Sequence, residues 1–583
     1  MCGIFFSLSS SDFIVPSPQT LRRLQSRGPD STREHRVEIQ TLGFTQSGTF
    51  YLCFVSTVLS LRGENIVAQP LVDDATGSVL CWNGEAWKVN GSPIDGNDSK
   101  AVFDLLLQVS ATTKALSPDG NSGPASKNIL DAISSIAGPY AFVFYDAPFR
   151  RILYGRDCLG RRSLLFRADR TDEITLCSIA DIPTTRGSWH EVEADGLYVL
   201  GLNDTQLSYR FEDQKNPRSI CPCHVPYRSS PSRDGSKLEL TLPFGPLNKI
   251  TSGKILNLNT DSPAISALCH HLRESLADRI YNVQPISNNS TDPLTQSHPK
   301  IAILFSGGLD CTILARISHD LLPTEEIIDL LNVAFENPRI HSKRMQDTVS
   351  SCIYELCPDR ATGRASFEEL RKVCPQRKWR FVEINVAYEE TLAHRQQVIE
   401  LMHPHNTEMD LSIALALYFA SRGRGILEGT SYETPARVLL SGLGADELFG
   451  GYQRHATAFA RSGYTGLIDE IELDINRLGK RNLGRDDRVI SHWGKEVRFP
   501  YLAEKLLSWA LSIPVWEKCD FADSDLQGSG SNTGVEAGKR ILRLLAVKLN
   551  MVQVAKEKKR AIQFGARTAK MQIGKTRGSQ PIC

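Results

Sequence analysis

No stretch of this chain approaches eighteen uninterrupted apolar residues, which leaves no material for a membrane-spanning helix. Net charge is nearly absent too. The 67 Lys and Arg stand against 66 Asp and Glu, a balance of +1, and give no electrostatic case for nucleic acid or a membrane as main partner. The N-terminus lacks the charged, apolar and small-residue order of a signal peptide, so the expected location is cytoplasmic. In a reducing compartment the 14 cysteines are expected as thiols. Paired metal-ligand clusters are lacking: neither Cys221-Pro222-Cys223-His224 nor Cys352, Cys357 and Cys374 has a second cluster at the separation zinc sites use. No internal repeat is present, and no glycine-rich loop ends in the Gly-Lys-Ser/Thr of a Walker A motif.

What is present is ordinary globular material: 583 residues, 41% apolar and 23% charged, enough for two to four domains with proper cores. Residues 1–205 are dense in short β-like runs separated by turn residues, with one helical pattern at Lys100 to Val109. From Asp213 to Lys237 the composition shifts to Pro, Ser, Arg and Cys, which marks a linker over 206–250. From 251 to 583 single apolar strands alternate with amphipathic helices, the pattern of a doubly wound α/β domain, and the chain ends in a basic tail expected to be flexible. Two polar inserts, 285–299 and 522–538, read as surface loops. Asn406-Thr407 reads as the cap of a helix ending at Gly423.

Three short motifs carry chemistry. Cys2 directly follows the initiator Met1. Removal of Met1 would give Cys2 both a thiol and a free α-amine, which can act as the thiol's own general base. A chance cysteine at a processed terminus is the plain alternative. In Leu304 to Cys311 an apolar strand runs into Ser306-Gly307-Gly308 and then a helix beginning near Cys311. Such a turn directs its amides, and the dipole of the helix behind it, at a pyrophosphate group, with Asp310 placed for magnesium. An ordinary capped glycine turn is the alternative there. Ser441-Gly442-Leu443-Gly444-Ala445-Asp446-Glu447 follows a second apolar strand. It offers Asp446 as a second magnesium carboxylate and Ser441 and Gly442 as nucleotide or substrate contacts.

These residues resemble a known family. Ser306 to Asp310 is similar to the pyrophosphate loop of ATP pyrophosphatases. With Ser441 to Tyr452 and Glu496 to Leu502 it resembles the synthetase domain of glutamine-dependent asparagine synthetases. Cys2-Gly3-Ile4, Arg27-Gly28-Pro29-Asp30, Gln69-Pro70-Leu71, Asn83-Gly84-Glu85 and Arg156-Asp157 with Gly160 resemble a class II glutamine amidotransferase. Arg161 to Leu165 and Asp359 to Arg364 point to the branch of asparagine synthetase domain-containing proteins. The resemblance spans nearly the whole chain. It implies an α+β, Ntn-type amidotransferase with antiparallel sheets, followed by an α/β ATP-pyrophosphatase domain. It further implies a glutamine-hydrolysing, ATP-dependent ligase that makes asparagine from aspartate, or an amide from another small carboxylate, through an acyl-adenylate. ATP and Mg2+ are then required. Cys2 would be the nucleophile, Asn83 and the Gly84 amide the oxyanion hole, and Glu85 and Asp98 the grip on the glutamine α-amine, with Arg27 also binding substrate. Ser306, Gly307, Gly308, Asp310, Cys311, Ser441 and Gly442 would hold ATP, Asp310 and Asp446 the metal. A late lysine would stabilise the transferring phosphoryl group. Spacing to Gln563-Phe564-Gly565 selects Lys559 over Lys556 and Lys558.

The chain departs from the family pattern at three further points. Val58 stands where an arginine clamps the glutamine carboxylate; Arg62, four positions on, either reaches in or lies on the other strand face. Cys311 replaces a serine, and a thiol is the weaker donor. Leu443 replaces an acidic residue. These losses favour a second expectation, a nucleotide-binding or scaffold protein that keeps the fold with weakened catalysis.

Overall fold

The computed structural model describes the chain apart from residues 43–46, 117–122, 171–172, 182–187, 203–221, 230–237, 253–257, 285–297, 342–352, 523–534, 572–577 and 583. Most of both polar inserts, and Cys221 and Cys352, therefore lie outside the described residues. The described chain forms two compact units. No helix among the described residues is long and apolar enough to cross a membrane.

The first unit is α+β and built on two large sheets, with a small three-stranded one beside them in the chain. One has six antiparallel strands, with Gly3–Ser9 between Glu173–Cys177 and Ser47–Val58. The other is antiparallel through its centre, where Tyr140–Asp146 lies between Arg151–Arg156 and Val79–Gly84. Side chains alternate across a strand. Ile4, Phe6 and Leu8 therefore enter the core between the sheets, where they join Val79, Cys81, Val143 and Ile152. Phe5 points the other way and packs with Leu24, Cys53, Val55 and Cys177. Both faces of this strand are covered, which is why Ile4-Phe5-Phe6 reads as an unbroken apolar run. On the far side of the second sheet, Leu80, Trp82, Phe142 and Phe144 pack under Val102, Phe103 and Leu106 of the helix Asp98–Leu116. That helix is longer at both ends than the expected 100–109.

The unit boundaries differ from the expected ones. The first unit runs to Pro243, and the span read as linker contains the strands Cys223–Arg228 and Leu240–Thr241. It also takes Glu400–His405 and Leu478–Gly494 from the second half of the chain. The cause is buried charge. The helix Leu483–Ser491 carries Asp487, which accepts from Arg27 Nη2 at 2.8 Å and from the Ser163 amide at 3.2 Å. The next residue, Arg488, donates to Glu191 Oε1 at 2.5 Å, to Ser163 Oγ at 2.8 Å and to the Leu401 carbonyl at 3.0 Å. Composition alone cannot show that these charges complete a distant core.

The second unit carries a seven-stranded sheet in the order Thr430–Glu433, Arg424–Leu427, Trp379–Val386, Ile328–Phe335, Ile301–Leu304, Val438–Leu440, Glu496–Arg498. The last five strands are parallel. Strand order runs outward from Ile301–Leu304 in one direction and then jumps to its other side at Val438–Leu440. Such a switch point opens a crevice at the strand carboxyl ends, where doubly wound sheets bind ligands. The helix Glu408–Arg422 begins at Thr407, whose hydroxyl accepts the Asp410 amide at 3.1 Å, and ends at Gly423 with φ of +71°. The described parts of the basic tail are docked rather than loose. Asn337 Nδ2 donates to the Arg567 and Ala569 carbonyls at 2.9 and 3.1 Å, and the Gln580 carbonyl accepts the Glu408 amide at 3.1 Å.

Candidate active sites

In the first unit, Cys2 is buried at the start of the central strand of its sheet. The next amide, Gly3, donates to Thr57 Oγ1 at 3.1 Å, and the Cys2 carbonyl accepts Arg27 Nε at 3.3 Å. Gln69 is held by the Trp82 amide, which donates to its Oε1 at 2.7 Å, and its Nε2 lies 4.0 Å from Cys2 Sγ. Cys2, Gln69, Gly84, Glu85 and Asp98 share the wall of one pocket, so the thiol faces the residues expected to hold its substrate. Asp98 is fixed there, accepting Trp82 Nε1 at 3.1 Å and the Ala86 amide at 2.8 Å. Asn83 precedes the pocket residue Gly84. It is fully buried, and neither its Nδ2 nor its Oδ1 has a hydrogen-bond partner. A buried amide in that condition is costly unless something it is built to bind completes it.

Arg27 is placed differently from the rest. Its guanidinium is spent on Asp487, on Ser491 Oγ at 2.6 Å and on the Cys2 carbonyl. It touches the Cys2 backbone and does not line the pocket. Val58 and Arg62 both line it, which resolves the choice of strand face for Arg62 in favour of the pocket. Met1 is buried, so its excision would vacate enclosed space beside the Cys2 amine.

In the second unit the loops after Ile301–Leu304 and Val438–Leu440 lie side by side. A Cβ on Gly442 would stand 2.8 Å from the Asp310 Cβ. Gly307 has φ of +78°, and a Cβ there would stand 2.4 Å from the Gly363 amide nitrogen, so the turn closes only with glycine. The helix begins at Leu309, with Gly308 as its cap. The Ser306 hydroxyl accepts the Gly308 amide at 3.3 Å, and the Gly307 carbonyl accepts Ser366 Oγ at 2.6 Å. Cys311 is buried and turns its thiol back onto the Gly308 carbonyl at 3.3 Å. Burial pushes that thiol's pKa up, so it stays protonated. Leu443 is half-buried in the second loop, its amide donating to Ser441 Oγ at 3.3 Å.

The two expected carboxylates meet at a residue the sequence reading missed. Lys539 Nζ lies 2.9 and 2.8 Å from the oxygens of Asp310 and 2.8 Å from Asp446 Oδ1. Lys559, the residue chosen by spacing, donates to the other Asp446 oxygen. Burial alone would raise Asp446, but Lys539 and Lys559 outweigh it and hold the carboxyl far below the usual range. Burial would likewise lower Lys539, and the two aspartates outweigh it and hold the ammonium above its ordinary value. Lys539 has φ of +53°, uncommon for lysine. A third acid, Asp359, is buried beside the Lys559 segment, and burial pushes its pKa up to about 7 despite nearby Arg560 and Lys559. A Cβ on Gly565 would stand 2.0 Å from an Asp359 oxygen.

The chain is similar to known proteins over nearly its whole length. The family model described as Asparagine synthase matches residues 288–471 and 462–578. Asparagine synthetase domain-containing protein 1 of Mus musculus is 34% identical over 654 aligned residues, covering 99% of this chain and 98% of the relative. The Homo sapiens protein of the same name is 32% identical, covering 98% and 96%. A Gallus gallus protein named asparagine synthetase [glutamine-hydrolyzing] is 22% identical, covering 88% of this chain and 77% of the relative. The chain belongs to the asparagine synthetase family, in its branch of asparagine synthetase domain-containing proteins.

Proposed function

We propose that this protein is a glutamine-hydrolysing, ATP-dependent ligase that amidates a small carboxylate, aspartate first among them. The observation that carries the reading is the pocket in which a buried Cys2 faces Glu85 and Asp98, with the unpartnered amide of Asn83 next to its wall. After loss of Met1, the α-amine of Cys2 takes the thiol proton and the sulfur attacks the glutamine side-chain amide. Asn83 and the Gly84 amide stabilise the oxyanion, ammonia leaves, and water releases glutamate from the thioester. At the second site a carboxylate oxygen attacks the α-phosphorus of ATP and pyrophosphate departs. Ammonia then displaces AMP from the acyl-adenylate. Lys539 and Lys559 supply positive charge beside the phosphate loop throughout.

Magnesium fits the donor set, because two hard carboxylates lie close enough to share one ammonium. Asp310 and Asp446 would hold the ion, which would neutralise charge on the departing pyrophosphate.

The test is purified protein with Met1 loss verified by intact mass. Cys2-dependent glutamate release and carboxylate-dependent exchange of pyrophosphate into ATP are the expected results. Absence of both in processed protein refutes the reading. A nucleotide-binding scaffold is the second reading, favoured by the apolar Val58 in the pocket wall and by Leu443 in the second loop. ATP binding without exchange or glutaminase activity would establish it.

A further inference from the structure

An α-amino acid amide brings two opposite charges into the first unit's pocket. In the glutaminase reading its ammonium would meet Glu85 and Asp98, which line the wall. Its carboxylate needs a cation, and at position 58 it finds a valine with 4% exposure. Among the described residues lining the pocket the only cationic side chain is Arg62.

Arg62 is buried, also with 4% exposure. Its Nη1 donates to the Ala86 carbonyl at 2.8 Å and its Nη2 to the Ile94 carbonyl at 2.6 Å. Neither partner carries charge. Glu85 Oε2 lies 3.7 Å from Nη1, an ion pair longer than a hydrogen bond. Its Cζ also lies 5.8 Å from the centre of the Trp87 ring. Two neutral acceptors and an aromatic neighbour thus fix the head of Arg62, while its buried Nε has no acceptor. Buried guanidinium groups are ordinarily completed by a carboxylate. Here the group is rigid, incompletely satisfied and part of the pocket wall.

We infer that Arg62 is the specificity-determining cation of this pocket: it receives the α-carboxylate of the amide substrate, the task left open by Val58. The inference rests on the glutaminase reading and deepens it. The clamp has moved four positions along the chain, and the pocket still selects an amino acid over a simple amide.

The experiment compares glutamine with 4-aminobutanamide, which is glutamine without its carboxylate. Hydrolysis of each is measured with the wild type, Arg62→Met, and the double variant Val58→Arg/Arg62→Met. Alkylation of Cys2 by a diazoketone analogue of glutamine, read by intact mass, is followed in parallel. Arg62→Met is expected to lower kcat/KM for glutamine about 10- to 100-fold, the range of one charge-assisted contact. It should change 4-aminobutanamide hydrolysis less than about threefold, and the double variant should recover part of the selectivity. Distortion of the loop through the Ala86 and Ile94 carbonyls would instead slow both substrates alike, and that result overturns the inference. So does unchanged selectivity in an active Arg62→Met protein, with the glutaminase reading left standing. A processed wild type that hydrolyses neither amide and is not alkylated at Cys2 overturns both.

Discussion

Replacing Asp487 by asparagine removes one negative charge from a site that holds two guanidinium groups. Asp487 and Arg27 are 0% and 1% exposed, with 2.8 Å between Oδ2 and Nη2, and Arg162 Nη1 lies 3.8 Å from Oδ1. Asparagine keeps the shape and leaves both arginines buried without that carboxylate. Breaking a buried pair by removing one partner costs about 3–5 kcal/mol. For a unit of this size about 1 kcal/mol moves Tm by roughly 2–4 °C, so the first unit should lose roughly 6–20 °C. Scanning calorimetry or tryptophan fluorescence at neutral pH reads the shift. The pH dependence has a definite sign. Burial would raise Asp487, but Arg27 and Arg162 outweigh it and hold its pKa below the ordinary carboxylate value. Its contribution is therefore complete above the unfolded-state value of about 4 and is lost as pH falls through the lower folded-state value. The gap between wild type and Asp487→Asn should be flat from pH 6 to 8 and narrow only in acid. Replacing both partners, as Arg27→Met/Asp487→Leu, should recover much of the loss, because no unpaired charge remains on either partner. An Asp487→Asn protein within about 1 kcal/mol of wild type would refute the argument.

Three further outcomes are expected. Asp359 has the opposite linkage: with a folded value of about 7 against about 4 unfolded, it lowers stability as pH rises between those values, by up to about 4 kcal/mol. Asp359→Asn should therefore gain on wild type from pH 5 to pH 8 in denaturant titrations, and a pH-independent difference would contradict the burial of that carboxyl. Gly307→Ala meets backbone at 2.4 Å with positive φ and should destabilise the second unit by several kcal/mol while the first unit's transition stays in place, as resolved by calorimetry. Lys539→Met leaves Asp310 and Asp446 without their shared cation, and pyrophosphate exchange should fall at least about a hundredfold, the range for loss of one preorganised electrostatic partner; exchange within threefold of wild type would remove Lys539 from the site.

The sequence disclosed what local rules govern. Strand, tight glycine turn and helix start are neighbours in the chain, so Ser306 to Asp310 and Ser441 to Asp446 could be placed at strand ends directly. Their juxtaposition also followed, because parallel sheets gather such turns at one edge. Lys539 escaped because it directly follows a polar insert and no local pattern distinguishes it from the basic run at 556–559. Its identity depends on a backbone conformation and two long-range contacts. The capture of 478–494 by the first unit escaped for a related reason. The helix Leu483–Ser491 looks like an exposed charged helix, and only the positions of Arg27, Arg162 and Glu191 reveal why its charges are buried. Arg62 was visible as a candidate, but choosing its strand face required the fold.

The first unit's dependence on residues 478–494 also bears on biosynthesis. A ribosome finishes the strands of that unit by Pro243, yet the counter-charges of Arg27 and Arg162 are not made until about 250 residues later. At a synthesis rate of roughly 5–20 residues per second that is a wait on the order of tens of seconds. During it the nascent unit holds Arg27, whose Nε donates to the Cys2 carbonyl, without its Asp487 partner. A gene fragment cut at the apparent domain boundary would keep that unfinished state permanently, so the first unit is a product of the whole chain.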